Sequence, residues 1–181
     1  MRIIPVTLDT VTEEVTKVLY SGQEASIYCI ADAKSAVVGT NHGADLDAIA
    51  RENVKLIQIK HEGGTIILSP GDVDIGIFTK GFSGQEYKDK IIKKVIKLIE
   101  PSGAQIIEEG NDVLVDGKKV IGYGSRMYGE TLYTAIHISI NADLELIKKI
   151  CTKPMKKIPG SLSDYGIKAE DLKRIIYEVL G

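Results

Sequence analysis

The 181-residue chain has no tryptophan, two phenylalanines, five prolines and two cysteines. Cys29 and Cys151 alone cannot build a disulfide framework or a cysteine metal site. Such sparing use of cysteine fits a reducing, intracellular setting. No apolar run approaches the roughly 20 residues needed to cross a bilayer. Met1-Arg2-Ile3-Ile4-Pro5 is too short an apolar start for a signal peptide. The expectation is a cytoplasmic protein without a membrane partner. An excess of one charge is missing too. There are 23 Lys and Arg against 25 Asp and Glu, a formal net charge of -2, so no global field draws nucleic acid. The pairs Lys93-Lys94 and Lys148-Lys149 sit in amphipathic helical patterns, where a solvated face explains them more simply than a phosphate track.

What is present is ordinary globular composition, 44% hydrophobic and 27% charged, in a length that suits one domain with a real core. The apolar pattern switches between short strand-like runs and helical spacing. Residues 26–31, 36–40, 54–59, 65–68, 73–78, 105–108, 112–115, 119–123 and 132–140 read as strands. Helices are expected over 44–52, with Asn41 as a possible cap, and over 85–100, 143–151 and 169–180. Val11, Val15, Val18 and Leu19 are spaced for one helix face, which packs either on the chain's own sheet or in an interface. Asp116-Gly117 between two strands is a hairpin signal. Strands dominate the middle and do not alternate strictly with helices. That predicts an α/β domain of the α+β type, with a mixed, mostly antiparallel central sheet and helices packed on it.

Two segments carry candidate chemistry. In Asn53–Asp72, Gly63-Gly64 between two apolar strands lets backbone amides approach a carboxylate or phosphate, although such a pair is more often only a turn. His61 beside it reads equally as an anion contact or an exposed loop histidine. In Asn111–Arg126, a hairpin returns through Lys118-Lys119 to Gly122 and Gly124. The bland reading is a solubilised hairpin tip; the sharper one is a lysine held against a glycine-lined cleft. His137 alternates with Tyr133 and Ala135 and reads as a satisfied histidine on the sheet.

In this order and separation the segments resemble the lipoate–protein ligase family, within the biotin and lipoate ligase superfamily. Asn53–Asp72 lies on the family's glycine-turn segment, Asn111–Gly122 on its Asn-Asp…Asp-Gly-Lys-Lys hairpin, and Ile138–Leu144 on its Asn-x-Asp-Leu strand end. Lys153–Tyr165 is similar to the family's lysine-rich linker before a closing helix. The resemblance implies a class II aminoacyl-synthetase and biotin-ligase-like fold. It also implies a reaction in which ATP activates lipoate or a related acyl acid as the acyl-adenylate, after which the acyl group passes to a lysine of an acceptor domain. Lys119 would be the essential lysine, because a point charge steadies the carboxylate and α-phosphate. Gly63, Gly64 and Thr65 would line the acyl tunnel. Asp112 would place Mg²⁺ and the phosphates, beside Gly122. Where the family has adjacent arginines the chain has Gln58 and Ile59, and Lys60 and Arg126 are the candidate replacements. Glu62 takes the place of one glycine. Neither cysteine matches the nucleophile of the sibling octanoyl acyltransferases. The family's C-terminal accessory domain is absent from 1–181, so a lipoyl-domain acceptor and either a separate accessory chain or a homo-oligomer are the expected partners. The alternative is a divergent relative that binds an acyl group or acceptor without adenylation.

Overall fold

The computed structural model describes residues 1–32, 36–38, 43–57 and 66–181. In its central sheet seven strands run in the order β1 (Arg2–Val6), β2 (Ala25–Ile30), β6 (Val73–Lys80), β10 (Thr131–Ile138), β9 (Lys118–Tyr128), β8 (Asp112–Val115) and β7 (Ile106–Glu109). Only β1 and β2 pair in parallel; every other neighbouring pair is antiparallel. The mixed, mostly antiparallel sheet expected from the sequence is therefore what forms. A small second sheet joins β4 (Lys55–Ile57), β3 (Ala36–Val38) and β5 (Ile66–Leu68).

Alternation along the strands gives the sheet two covered faces. Val73, Ile75, Ile77, Ile136 and Ile138 point to α3 (Ser83–Ile99) and α5 (Ala169–Leu180), which return Ile91, Val95, Ile99, Leu172 and Ile176 to the same core. Ala25, Ile27, Cys29, Phe78, Tyr133 and Ala135 point the other way, towards α1 (Val11–Ser21). Val11, Val15 and Val18 are buried there and Leu19 packs beside them, so the valine stripe covers the chain's own sheet. Phe78 and Tyr133 stack at 4.8 Å. They do so over Gly76, where a Cβ would meet the Tyr133 ring at 2.9 Å.

Several boundaries depart from the sequence reading. β1 was not expected. It tolerates Pro5 because it is an edge strand, with no second neighbour needing an N–H. The helix expected over 44–52 is α2 (Leu46–Arg51), and its cap is Asp45, whose Oδ1 accepts from the Asp47 and Ala48 amides at 3.0 and 3.1 Å. Asn41 lies outside the described residues. β9 runs past Gly122 and Gly124 to Tyr128 because β10 pairs with it from Ile121 to Tyr128. β10 stops at Ile138. Ser139 still donates to the Val120 carbonyl of β9, and the next two amides, Ile140 and Asn141, turn instead to Asp72 Oδ1 at 2.7 and 2.9 Å. The Asp116-Gly117 turn has positive φ at both residues, 50° and 78°, as a two-residue hairpin of this hand requires.

Asp72 is held by these amides and by the Ser69 amide at 2.9 Å. Burial pushes its carboxyl up to about 6 against those hydrogen bonds. Asp74, two residues on, sits between Cys29 and His137 on the neighbouring strands. Its Oδ1 is buried without a hydrogen-bond partner among the described residues, and burial pushes its carboxyl up to about 7. A folded-state value above the unfolded one gives stability that is complete at about pH 4 and lost as the pH rises through 7. The stability that Asp74→Asn gains relative to the unaltered protein should therefore grow between pH 4 and pH 8, by on the order of 3 kcal/mol. Urea unfolding midpoints across that range would read it.

Candidate functional site

The cleft lies on the α1 side of the sheet, beyond the reach of α1, over β8, β9 and the end of β10. Backbone register decides what faces it. Asp112 of β8 pairs with Gly122 of β9, and Gly122 pairs with His137 of β10, so the three occupy one row. In an unbroken strand Lys119, three residues before Gly122, would face the opposite side. A bulge intervenes: Val113 pairs with Ile121 but Leu114 pairs with Lys119. Val120 and Ile121 both turn into the core beneath α3 and α5. One extra residue on β9 thus reverses the alternation and brings Lys119 round to the row of Asp112 and Gly122.

A strap, residues 152–160, closes the other flank. The Lys119 amide donates to the Ile158 carbonyl at 2.9 Å, and the Gly160 amide donates to the Lys119 carbonyl at 2.8 Å. Gly160 permits this approach, since a Cβ there would sit 2.8 Å from Lys118 Cβ and 3.2 Å from Val120 Cγ1. α4 (Leu144–Ile150) contributes Ile147, and its helix end contributes Cys151. The resulting cleft has a volume near 390 Å³. Its polar end is Asp112, Lys119, Lys156 and Lys157; its apolar wall includes Ile147 and Met155.

At the polar end two ammonium groups share one carboxylate. Lys119 Nζ lies 2.9 Å from Asp112 Oδ1, and Lys157 Nζ lies 2.6 Å from Asp112 Oδ2. Lys157 also lies 3.5 Å from Glu109. Burial pushes the Asp112 carboxyl up, but the hydrogen bonds from Lys157 and Lys119 outweigh it and hold the group below the usual carboxylate range. The bond to Asp112 likewise holds the Lys157 ammonium above the ordinary lysine value. Lys119 reaches Asp112 by lying across Gly122, where a Cβ would stand 2.9 Å from its Cε and 3.0 Å from its Nζ. His137 and Ser139 line the cleft, with Ser139 Oγ 3.3 Å from His137 Nε2.

Of the residues singled out from sequence, Lys119, Asp112 and Gly122 meet in this cleft. Lys118 is exposed, turned away from the row that Lys119 joins. Arg126 is carried to the far part of β9, with its guanidinium 5.5 Å from the Tyr128 ring, and it does not line the cleft. Lys60, His61, Gly63, Gly64 and Thr65 fall outside the described residues. Lys157 was passed over as one of several linker lysines, because only the strap's docking on Lys119 brings it to Asp112. Both cysteines are unsuited to thiolate chemistry: burial pushes Cys29 up to about 12 and raises Cys151 as well. No cluster of three or more His, Cys, Asp or Glu side chains placed to hold a metal occurs among the described residues. No helix among them is long and apolar enough to cross a membrane.

The mixed, mostly antiparallel sheet with helices on both faces is a fold shared with solved lipoate and biotin protein ligases. Residues 10–177 match the model of the lipoyl protein ligase A/B catalytic domain, and the chain belongs to that family. A putative lipoate-protein ligase A from Saccharomyces cerevisiae is 26% identical over 117 residues, 62% of this chain. The chain spans only 29% of that curated relative's length. Among solved structures, a bipartite lipoate protein ligase from Thermoplasma acidophilum, described with its E2 lipoyl domain, superposes with a TM-score of 0.75 at 13% identity, over 98% of this chain and 80% of its own. A lipoate-protein ligase A bound with ATP gives 0.73 at 14%, over 99% and 85%. At such identities the likeness is one of fold.

The two glycines should respond differently to alanine. Gly122→Ala has only the flexible end of Lys119 to displace, so its denaturation midpoint should stay within about 1 kcal/mol of the unaltered protein's stability. Gly160→Ala forces the strap off β9 and should cost about 1–3 kcal/mol. Equilibrium unfolding of both variants under one set of conditions checks the order.

Proposed function

We propose that this chain is the catalytic domain of a lipoate–protein ligase, activating lipoate or a related acyl acid with ATP and passing it to a lysine of a lipoyl-domain acceptor. The observation that carries the reading is the Lys119 ammonium, laid across Gly122 at the polar end of a cleft with an apolar wall. Such a cleft suits an acid with a long apolar chain and a reactive carboxylate.

In the first half-step a carboxylate oxygen of the acid attacks the α-phosphorus of ATP and pyrophosphate leaves. Lys119 steadies the negative charge that gathers on the α-phosphate oxygens. In the second, the acceptor amine attacks the acyl carbon and AMP leaves with the electrons of the broken C–O bond. Gly63, Gly64 and Thr65 are proposed to line the acyl path, Lys60 to replace a family arginine on the phosphate side, and His61 to contact a phosphate or the acyl carboxylate. Gly122 would admit the phosphates close to the strand. Arg126, away from the cleft, would act only on an approaching acceptor or nucleotide edge. Mg²⁺ suits this chemistry only as an ion that brings most of its ligands from phosphate and water. Among the described residues that line the cleft Asp112 is the one carboxylate, and it is already shared by two lysines. A bound Mg²⁺ would shield the polyphosphate charge, and Asp112 would hold it after releasing an ammonium.

The bipartite assembly of the Thermoplasma relative supports a second chain, or self-association, as the source of further surface for the acceptor. Light scattering with and without acceptor activity would test it. A monomer that fully lipoylates an acceptor domain unaided contradicts the need for a partner.

Mixing the protein with ATP and lipoate should release pyrophosphate, and Lys119→Ala should lower the rate by roughly 10²- to 10³-fold without loss of folding. Acyl binding with no pyrophosphate release would establish instead a relative that binds acyl groups or acceptors without adenylation.

A further inference from the structure

Resting on that reading, we infer that Lys157 is a second phosphate-binding cation of the adenylation site, delivered by the strap. The chain has Gln58 and Ile59 at the paired-arginine positions, and Arg126 lies over Tyr128 rather than in the cleft. A polyphosphate nonetheless needs more than one positive charge at close range. Lys157 lines the cleft and shares Asp112 with Lys119, one ammonium on each carboxylate oxygen.

Lys157 and Lys119 stand against Asp112 and Glu109, so each of these two ammonium groups has an acidic partner before any ligand arrives. Two ammonium groups bonded to one carboxylate repel each other, and Asp112 is what makes their proximity tolerable. An anion entering here meets two cations already gathered. Were Asp112 to hold Mg²⁺, Lys119 would lose its carboxylate partner, Lys157 would keep only the longer contact to Glu109, and the phosphates would supply the missing counter-charge. The placement of Lys157 is not left to a free linker. The next residue, Ile158, accepts the Lys119 amide, and Gly160 donates to the Lys119 carbonyl. The two lysines are therefore tied to each other through one backbone hydrogen bond and the adjoining residue Ile158. Lys157 is also half-buried, unlike the exposed Lys153 earlier in the strap, so less side-chain freedom remains to be lost on binding.

The test is ATP–pyrophosphate exchange driven by lipoate, using the full chain with whatever partner activity requires. Lys157→Ala should raise the KM for ATP about 10- to 100-fold while the KM for lipoate stays within about twofold. Lys157→Arg should recover most of the loss, Lys157→Gln should not, and Lys153→Ala should behave as the unaltered protein. A KM for ATP that moves less than about threefold, or a loss that strikes both substrates equally with a lowered unfolding midpoint, would overturn the inference and leave Lys157 a structural tether. If the unaltered protein shows no exchange at all, the ligase reading fails, and calorimetric titration with ATP decides Lys157 separately. Binding that is weakened in Lys157→Ala and restored in Lys157→Arg upholds it; binding indifferent to Lys157, or no binding, refutes it.

Discussion

A single inserted residue in β9 governs the whole site. Regular alternation from Gly122 would place Val120 and Lys118 on its face of the sheet. The bulge between the Val113–Ile121 and Leu114–Lys119 pairs sends Val120 and Ile121 together into the core and hands the cleft face to Lys119. The cost of the irregular ladder is offset by two buried aliphatic side chains and by the strap, which satisfies the Lys119 amide and carbonyl that β10 does not reach. Remove the bulge and Lys119 faces the wrong side; remove the strap and its backbone loses both partners.

The electrostatics follow from that placement. Two ammonium groups meet at Asp112, and its carboxylate offsets their mutual repulsion. The cluster lies at the open end of the cleft, where partial exposure weakens each ion pair and leaves it ready to exchange partners. The apolar wall beyond it comes from α4 and the strap, which pack on α2 in a small core of their own built on Ile49, Ile147 and Ile150. Charge is handled by the hairpin and apolar contact by the helices.

A different economy holds in the middle of the sheet. The Asp72 carboxylate accepts from two backbone amides just past the end of β10, Ile140 and Asn141, and from the Ser69 amide in its own turn. It ties the turn after β5 to the entrance of α4 and so anchors one side of the cleft. Asp74 Oδ1 has no such partner among the described residues, and burial shows in its raised titration point.

Much of this was legible in the amino-acid order. Helical and strand periodicities located most elements, since burying one face of each is a local demand on residue spacing. Asp116-Gly117 marked its hairpin because few residues accept positive φ at two consecutive positions. The motif order around Asn111–Gly122 pointed to Lys119 and Asp112, and the structure brings both to one cleft with Gly122. What sequence spacing could not decide was which neighbour of a Lys-Lys pair faces inward, because period-two alternation from Gly122 favours Lys118 and a bulge has no signature in residue type here. Nor could it set Arg126 aside or raise Lys157 above the other strap lysines. Those outcomes depend on backbone hydrogen bonds between residues about 40 positions apart in the chain, Lys119 with Ile158 and Gly160, and only the folded chain brings such partners within reach.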